Sequence, residues 1–176
     1  MEENKEIEIR YAFIASPSFS REFFEHAVVT EVAYLLPQDS KSTTSCRFRR
    51  RNGKATITCK TSDGKNANSI ERYEDEFEIS NESFEAYAEK LPIMKFYFYK
   101  DPLGREFKSF CNNPKCLNPI IIAEKEFNHI PDQEEINKFV YRLSKLGHDI
   151  YDMTDNFKVN VSNRYRKFIE TGSADY

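Results

Sequence analysis

Charged and apolar residues alternate in this chain from its first segment onwards, and this alternation limits the folds that are open to it. KEIEIRYAF, at residues 5–13, places Glu6, Glu8 and Arg10 on alternate positions with isoleucines between them. Successive side chains of a β-strand point to opposite faces. The segment is therefore predicted to be a strand with one ionic face and one apolar face.

The same alternation recurs in five later segments. They are CRFRRR at 46–51, TITCK at 56–60, RYEDEFEI at 72–79, IMKFYFYK at 93–100 and IIIAEKEF at 120–127. Asn52-Gly53 lies between the first two and predicts a tight hairpin turn. The DPLG turn at 101–104 predicts a second hairpin, in which IMKFYFYK pairs with REFKSF. A further strand is predicted at TEVAYLLP, residues 30–37.

Helical spacing of apolar residues predicts helices between and after the strands. The segments are SPSFSREFFEHAV at 16–28, SFEAYAEKL at 83–91, DQEEINKFVYRLSKLG at 132–147 and the start of SNRYRKFIETGSADY at 162–176. In the first of them, Ser18 or Ser20 is the expected helix cap. With about eight strands, we expect an α+β fold, an eight-stranded antiparallel β-barrel with a few flanking helices. We expect one domain over 1–170 and a disordered tail over 171–176.

Composition favours a soluble globular protein over a disordered chain or one that coats nucleic acid. Charged residues make up 31% of the chain, hydrophobic residues 39%, and the formal net charge is −3. The longest apolar run, IIIA at 120–123, is far shorter than the roughly 20 residues of a membrane helix. The first residues are too acidic for a signal peptide. We therefore expect no membrane association and a cytoplasmic location.

Four cysteines, Cys46, Cys59, Cys111 and Cys116, could staple a secreted fold or hold zinc. Two of them lie in predicted strands, and CNNPKC at 111–116 has neither the spacing nor the second half of a zinc site. We expect free thiols that are mostly buried.

The signs of the charges are sorted by strand. Carboxylates occupy positions 6 and 8, 74, 76 and 78, and 124 and 126, whereas bases occupy positions 47, 49 and 51, 60 and 95. In an open sheet these residues would form a solvated face with cross-strand ion pairs, and that interpretation stays open. In a closed sheet they meet in an interior, where a polyanion with a divalent cation such as Mg²⁺ or Mn²⁺ satisfies both signs. Glu6 and Glu8 then hold the metal, and Arg10 holds a phosphate.

The order and content of these segments resemble the CYTH family, the triphosphate tunnel metalloenzymes. KEIEIRYAF is similar to its ExExK signature with Arg10 in place of Lys, RYEDEFEI to its RxExExE strand, and IIIAEKEF to its late ExE strand. CRFRRR, TITCK and IMKFYFYK resemble its basic strands, and DIYDMTDNFKVNVSNRYRK, at 149–167, resembles its closing segment. The resemblance covers essentially the whole chain in the expected order.

The resemblance implies an eight-stranded antiparallel tunnel that binds a triphosphate and one or two divalent metals. It implies metal ligands at Glu6, Glu8, Glu124 and Glu126. It implies phosphate-binding residues at Arg10, Arg47, Arg49, Lys60 and Lys95. Catalytic roles fall to Lys95 and to three glutamates that serve a second metal or orient water, Glu74, Glu76 and Glu78. Arg72 is expected to be structural.

Two positions depart from the family pattern. Tyr97 stands where a further basic residue is common, and Lys108 stands where an acidic residue is usual. The first removes a phosphate contact, and the second inverts a charge, although Lys108 could instead supply the missing positive charge. Altered or lost activity is therefore left open.

The leading functional hypothesis is metal-dependent hydrolysis of an inorganic or organic triphosphate. His26, His129 and His148 lie outside the strand motifs, so no histidine phosphoenzyme is expected. The alternatives are a class IV type nucleotide cyclase and a non-catalytic triphosphate binder. The expected partner is a small molecule that carries a triphosphate, and no nucleic acid is expected except an RNA end with a 5′-triphosphate. The oligomeric state is left open.

Overall fold

The computed structural model describes residues 5–35, 44–66, 69–154 and 161–174. Within these ranges the chain forms nine strands, β1 (Lys5–Ala15), β2 (Val28–Leu35), β3 (Thr44–Arg51), β4 (Lys54–Asn66), β5 (Ser69–Ile79), β6 (Met94–Lys100), β7 (Glu106–Ser109), β8 (Ile120–Phe127) and β9 (Gly147–Asp152). It also forms four helices, α1 (Pro17–His26), α2 (Asn81–Ala88), α3 (Gln133–Leu143) and α4 (Val161–Thr171). Residues 36–37 of the predicted strand TEVAYLLP, 155–160 of the predicted closing segment and 175–176 of the predicted tail lie outside the described residues.

The strands form one antiparallel sheet that closes on itself. Their order is β5-β4-β3-β2-β6-β7-β8-β1-β9, and β5 also pairs with β1. Strand β1 makes this possible because it is long. On one edge its Lys5–Glu8 portion pairs with β5 and its Tyr11–Ala15 portion with β9, while its other edge pairs with β8. In the described part of the chain eight strands thus form a ring, which confirms the predicted α+β fold, and β9 is an additional strand that the sequence analysis missed.

Both faces of β1 are buried, and they differ in chemistry. Ile9, Tyr11 and Phe13 belong to a hydrophobic core that includes Phe19 of α1 and Phe139 of α3. Because helices α1 and α3 pack on this face, it is the outside of the ring. The other face carries Glu8 and Arg10, which are 2% and 4% exposed. We call the side of the ring strands that carries Glu8 the inner face.

Helix α1 begins two residues earlier than its predicted caps allow. Ser16, and not Ser18 or Ser20, is the N-cap, and its side chain accepts a hydrogen bond from the Phe19 amide at 3.3 Å. Pro17 takes the first helical position, where a backbone N–H would have no acceptor within the helix. Phe19 and Phe23 then face the core.

Helix α4 packs on a second core at one end of the ring. Its Val161 and Tyr165 are buried with Phe110, which directly follows β7, and with inner-face side chains of β2 and β6, Val32, Tyr34, Met94, Phe96 and Phe98. The Tyr165 hydroxyl donates to the Pro92 carbonyl at 2.8 Å, just before β6 begins.

The domain boundaries predicted from the sequence stay a prediction. Of the predicted tail, residues 171–174 are described, and Ala174 is buried in this core.

The predicted hairpin at Asn52-Gly53 is confirmed. Both residues have positive φ, 49° and 72°, as a two-residue turn of this type requires. The cysteine prediction is wrong for this hairpin, because Cys46 and Cys59 lie directly opposite each other, with Cα atoms 4.3 Å apart, and form a disulfide. Cys111 and Cys116 are half-buried and form no disulfide within the described ranges. No helix among the described residues is both long and apolar enough to span a membrane.

Candidate functional site

The inner face collects most of the residues that the sequence analysis predicted for a site. The strand registers place on it the acidic side chains Glu6, Glu8, Glu74, Glu76, Glu78, Glu106, Glu124 and Glu126. They place on the same face the basic side chains Arg10, Arg47, Arg49, Arg51, Lys54, Lys60, Arg72, Lys100 and Lys108. These two sets are close to equal in number, so the face can neutralise itself to a large extent.

A chain of ion pairs begins at β7 and crosses β8 to β1. Lys108 donates to one oxygen of Glu124, and Arg10 Nε donates to the other oxygen at 2.7 Å. Arg10 Nη2 also donates to Glu8 Oε1 at 2.6 Å. Burial disfavours the charged form of Glu124, but Lys108 and Arg10 outweigh burial and hold the pKa of that carboxyl well below its usual range. Glu8, Arg10 and Glu124 are therefore tied together as buried ions.

The chain of ion pairs continues from β1 to β4 and β5. Arg72 Nη2 lies 2.7 Å from Glu8 Oε1 and 3.0 Å from Glu6 Oε2. Lys60 Nζ bridges Glu6 and Glu74, at 2.9 and 2.5 Å. Burial opposes the charge on Arg72, but Glu8 and Glu6 raise its pKa above the ordinary value. The eight residues from Lys108 to Glu74 thus alternate in sign and sum to zero.

A row of three arginines lies on β3, apart from this chain of ion pairs. Arg49 Nη2 donates to both oxygens of Glu76, at 2.9 and 2.8 Å. Arg47 Nη2 lies 4.0 Å from Glu74, and its buried Nε has no hydrogen-bond partner among the described residues. We call Arg47, Arg49 and Arg51 the arginine row.

Arg51 differs from the other members of the row, because no carboxylate of the described residues pairs with it. Its Nε donates to the Thr30 hydroxyl at 2.7 Å, and its guanidinium carbon lies 3.3 Å from the centre of the Phe98 ring. Burial and the neighbouring Arg49 and Arg47 lower the pKa of Arg51 to about 9, so that it keeps its charge at neutral pH. Within the described ranges, the positive charge of Arg51 is therefore not neutralised by an ion pair.

Glu126, near the end of β8, is an acidic residue without a basic partner in the described part of the chain. Partial loss of solvent and the nearby Glu106, Glu6 and Glu8 raise the pKa of Glu126 to about 7, against a smaller opposing effect of Lys100. No basic side chain of the described ranges forms an ion pair with Glu126. Glu106, Glu6 and Glu8 are each paired with basic side chains, so Glu126 is the carboxylate of this group that lacks such a partner in the described part of the chain. It lies on the same inner face as the arginine row.

The structure tests whether the predicted metal ligands suit a cation. Within the described ranges, no three carboxylate, histidine or cysteine side chains converge as a metal site requires. Glu6, Glu8 and Glu124 each already accept contacts from two basic side chains. Glu126 accepts no ion pair in the described part of the chain, whereas the nearby Glu106 pairs with Lys100 at 3.2 Å. The predicted set of four ligands is therefore split, with Glu126 open and the other three engaged.

Two predicted residues are not brought to the others. Lys95 lies on the outer face, 61% exposed, where it pairs with Glu31 at 3.3 Å. The register is the reason, because the inner-face residues of β6 are Phe96, Phe98 and Lys100. Glu78 shares the inner face but lies at its rim, 68% exposed, and pairs with Lys54.

Several inner-face residues were missed by the sequence analysis. Alternation placed Arg51 with Arg47 and Arg49, but no binding role was assigned to it. Glu106 was overlooked, although it lies two residues before Lys108 and alternation alone could have found it. The threonines carry no comparable signal. Thr58 donates to Glu76 at 2.8 Å, and the buried Thr56 hydroxyl has no hydrogen-bond partner in the described part of the chain.

No family model matches this chain, and no curated protein matches it. Solved structures of similar chains include the inorganic triphosphatase NE1496, with 19% identity, 87% of this chain and 90% of that chain covered, and a TM-score of 0.41. HpAC1 from Hippeastrum, described as an adenylyl cyclase candidate with a dominant triphosphatase activity, has 13% identity, covers 80% and 86%, and has a TM-score of 0.48. The PH1819 protein from Pyrococcus horikoshii has 18% identity, covers 78% and 86%, and has a TM-score of 0.43.

The solved structures to which this chain is similar are CYTH-type proteins, the family that its segments resemble. The identities are 20% or less and the TM-scores are below 0.5. At this level of identity, similarity to these structures does not show what the chain binds or catalyses, and only its own residues bear on its function.

Proposed function

We propose that this protein binds a small molecule with a triphosphate group on the inner face of its ring and hydrolyses it with the help of Mg²⁺ or Mn²⁺. One observation carries the proposal. The inner face holds Arg51, which pairs with no carboxylate of the described residues, and Glu126, which pairs with no basic side chain of those residues. A triphosphate with its divalent cation is a ligand that satisfies both.

The arginine row supplies the contacts to the phosphates. Its members are two residues apart on one strand face, so neighbouring side chains leave the backbone about 7 Å apart. Each guanidinium can donate two parallel hydrogen bonds to phosphate oxygens. Arg51 has no ion pair to break among the described residues, whereas Arg49 has to exchange its contact with Glu76 for a phosphate.

Glu126 is the residue that would hold the cation, because the neighbouring Glu106 already pairs with Lys100 at 3.2 Å. When bound there, a divalent cation would neutralise phosphate charge and polarise the phosphorus centre. Glu76 would orient the attacking water once Arg49 has turned to the phosphate, while Thr58 still donates to it. The engaged residues, Glu8 and Arg10 among them, hold the inner face in place. Their ion pairs explain how a ring with so many internal charges is stable without a ligand.

A cytoplasmic location remains a proposal from the sequence. Reducing compartments disfavour disulfides, so this proposal has to accommodate the bond between Cys46 and Cys59.

The experiment is a measurement of phosphate release from tripolyphosphate, ATP and thiamine triphosphate, with Mg²⁺ or Mn²⁺. Arg49→Ala and Glu126→Gln are compared with Arg50→Ala, a matched control on the same strand. Arg50 faces outward and pairs with Glu31 and Glu85. We expect metal-dependent release that the first two variants lose and the control keeps, with the fold checked by circular dichroism.

Other outcomes of this assay separate the alternatives. Thermal stabilisation by tripolyphosphate without any release would identify a non-catalytic binder. A cyclic nucleotide product from ATP would identify a cyclase. If none of the three compounds gave phosphate release or thermal stabilisation, the proposal would be refuted.

A further inference from the structure

We infer that Lys108 is a built-in cation of the inner face, and that it keeps a divalent cation away from Glu124. The protein would then bind one divalent cation fewer than its inner carboxylates could hold. The inference rests on the proposed function, since it concerns how the same inner face binds cations.

The position of Lys108 supports this role. Its side chain leaves β7 between two carboxylates, is 12% exposed, donates to Glu124, and lies 4.0 Å from Glu106. In the strand register Glu106 and Glu124 are direct partners, so their side chains leave neighbouring strands side by side. Two adjacent carboxylates on one buried face need a cation between them, and the Lys108 ammonium is that cation.

The second oxygen of Glu124 is also engaged. Arg10 Nε donates to it at 2.7 Å, and this guanidinium is itself held by Glu8. A metal ion that approached Glu124 would have to displace Lys108 or Arg10 from a buried position. Because displacement leaves a buried charge without its partner, Glu124 is a poor metal ligand while Lys108 is present.

Removal of the ammonium should reverse this. In Lys108→Gln, Glu106 and Glu124 face each other without a cation between them, although Glu124 keeps Arg10 and Glu106 keeps Lys100 at 3.2 Å. Hard divalent cations prefer such paired carboxylates. The variant should therefore bind a divalent cation at a place where the wild type binds none.

The test counts bound Mn²⁺ by electron paramagnetic resonance and isothermal titration calorimetry on the full chain, without phosphate. We expect Lys108→Gln to bind one Mn²⁺ more than the wild type. Lys108→Arg, which keeps the charge, should match the wild type. Lys125→Gln is the matched control, because Lys125 adjoins Glu124 on β8 but faces outward over the Phe127 ring. It makes the same change in net charge and should not change the count.

An equal count for the wild type and a folded Lys108→Gln would overturn the inference. A second variant tests it without touching Lys108. Glu124→Gln should leave the Mn²⁺ count unchanged, and the loss of one Mn²⁺ would show that Glu124 is a ligand in the wild type and overturn the inference. Thermal stabilisation by tripolyphosphate is measured separately. Its absence would refute the proposed function, while the Mn²⁺ counts would still decide the role of Lys108.

Discussion

Two glutamates on one strand face show how strongly neighbours decide the state of a residue. Glu124 and Glu126 are two positions apart on β8 and share the inner face. Lys108 and Arg10 hold the pKa of Glu124 below its usual range in spite of burial. The pKa of Glu126 is raised to about 7 by partial burial and by Glu106, Glu6 and Glu8. The first is therefore a permanent structural anion, and the second can accept a proton or a cation near neutral pH.

The raised pKa of Glu126 predicts a pH effect on stability. A carboxyl group whose pKa is higher in the folded state than in the unfolded chain binds its proton more tightly when folded. Its contribution is present below the ordinary pKa of 4.5 and is lost as the pH rises towards 7. In EDTA, Glu126→Gln should unfold at higher urea concentration than the wild type at pH 8, with a smaller difference at pH 5.

Glu25→Gln, an exposed change on α1, is the control and should follow the wild type at both pH values. If the difference between Glu126→Gln and the wild type were the same at pH 5 and pH 8, the raised pKa would not contribute to stability.

At the scale of the elements, the hairpin of β3 and β4 carries residues of the candidate site on one face and a stabilising disulfide on the other. Its inner face carries the arginine row, and its outer face carries the disulfide between Cys46 and Cys59. Cys46 directly precedes Arg47, and Cys59 directly precedes Lys60. The covalent link is thus one position away from Arg47, the first residue of the arginine row.

Removal of this disulfide should weaken the fold. The bond links residues that are 13 positions apart, and a closed loop of about that size contributes about 3 kcal/mol in the chain-entropy account. A double variant, Cys46→Ser and Cys59→Ser, should lose roughly 2 to 3 kcal/mol of unfolding free energy in urea titrations. Reductant should destabilise the wild type to the level of the variant and leave the variant unchanged. A wild type that is insensitive to reductant would contradict the prediction.

The N-cap of α1 offers a matched test on one helix. Loss of a capping side chain costs about 1 kcal/mol. Ser16→Ala should therefore lower the unfolding free energy by about 1 kcal/mol, because the Phe19 amide loses its acceptor. Ser18→Ala, two residues further on, should change it by less than about 0.5 kcal/mol. Equal losses of unfolding free energy for the two variants would mean that the Ser16 side chain does not stabilise α1 as its N-cap.

At the scale of the whole molecule, the ring separates two kinds of packing. Its outer face packs on α1 and α3, and its inner face is ionic at β1 but apolar where α4 packs on β2 and β6. Tyr165 joins α4 to this end of the ring, because it is 1% exposed and donates to the Pro92 carbonyl. Helix α4 therefore stabilises the ring at the end where its interior is apolar.

Variants at Tyr165 should show how much this contact contributes. Tyr165→Phe keeps the aromatic side chain but loses one hydrogen bond, which should cost about 1 kcal/mol of unfolding free energy. Tyr165→Ala also leaves a cavity, and loss of a large buried aromatic side chain costs about 3 to 5 kcal/mol. Urea titrations should rank wild type, Phe variant and Ala variant in that order. A Tyr165→Ala variant as stable as the wild type would mean that α4 does not support the ring.

Much of the fold was predictable because alternation is a local property. The positions of the charged strands, the Asn52-Gly53 turn and the helices follow from spacing that a short segment already shows. What alternation leaves undecided is which of its two faces points inward. IMKFYFYK fits a strand with either Lys95 or Lys100 inside, and only the pairing of β6 with its neighbours selects Lys100.

The sequence by itself thus determined the strands, the sign of the charge on each and the closed antiparallel architecture that they favour. The tertiary structure decided which charges meet. Cys46 and Cys59 face each other, Lys108 reaches Glu124, and Glu126 is left without a basic partner among the described residues, because of registers between strands far apart in the chain. A carboxylate becomes a metal ligand or half of an ion pair according to the neighbours that folding brings to it. Those neighbours come from other strands, so the local sequence around the carboxylate does not predict them.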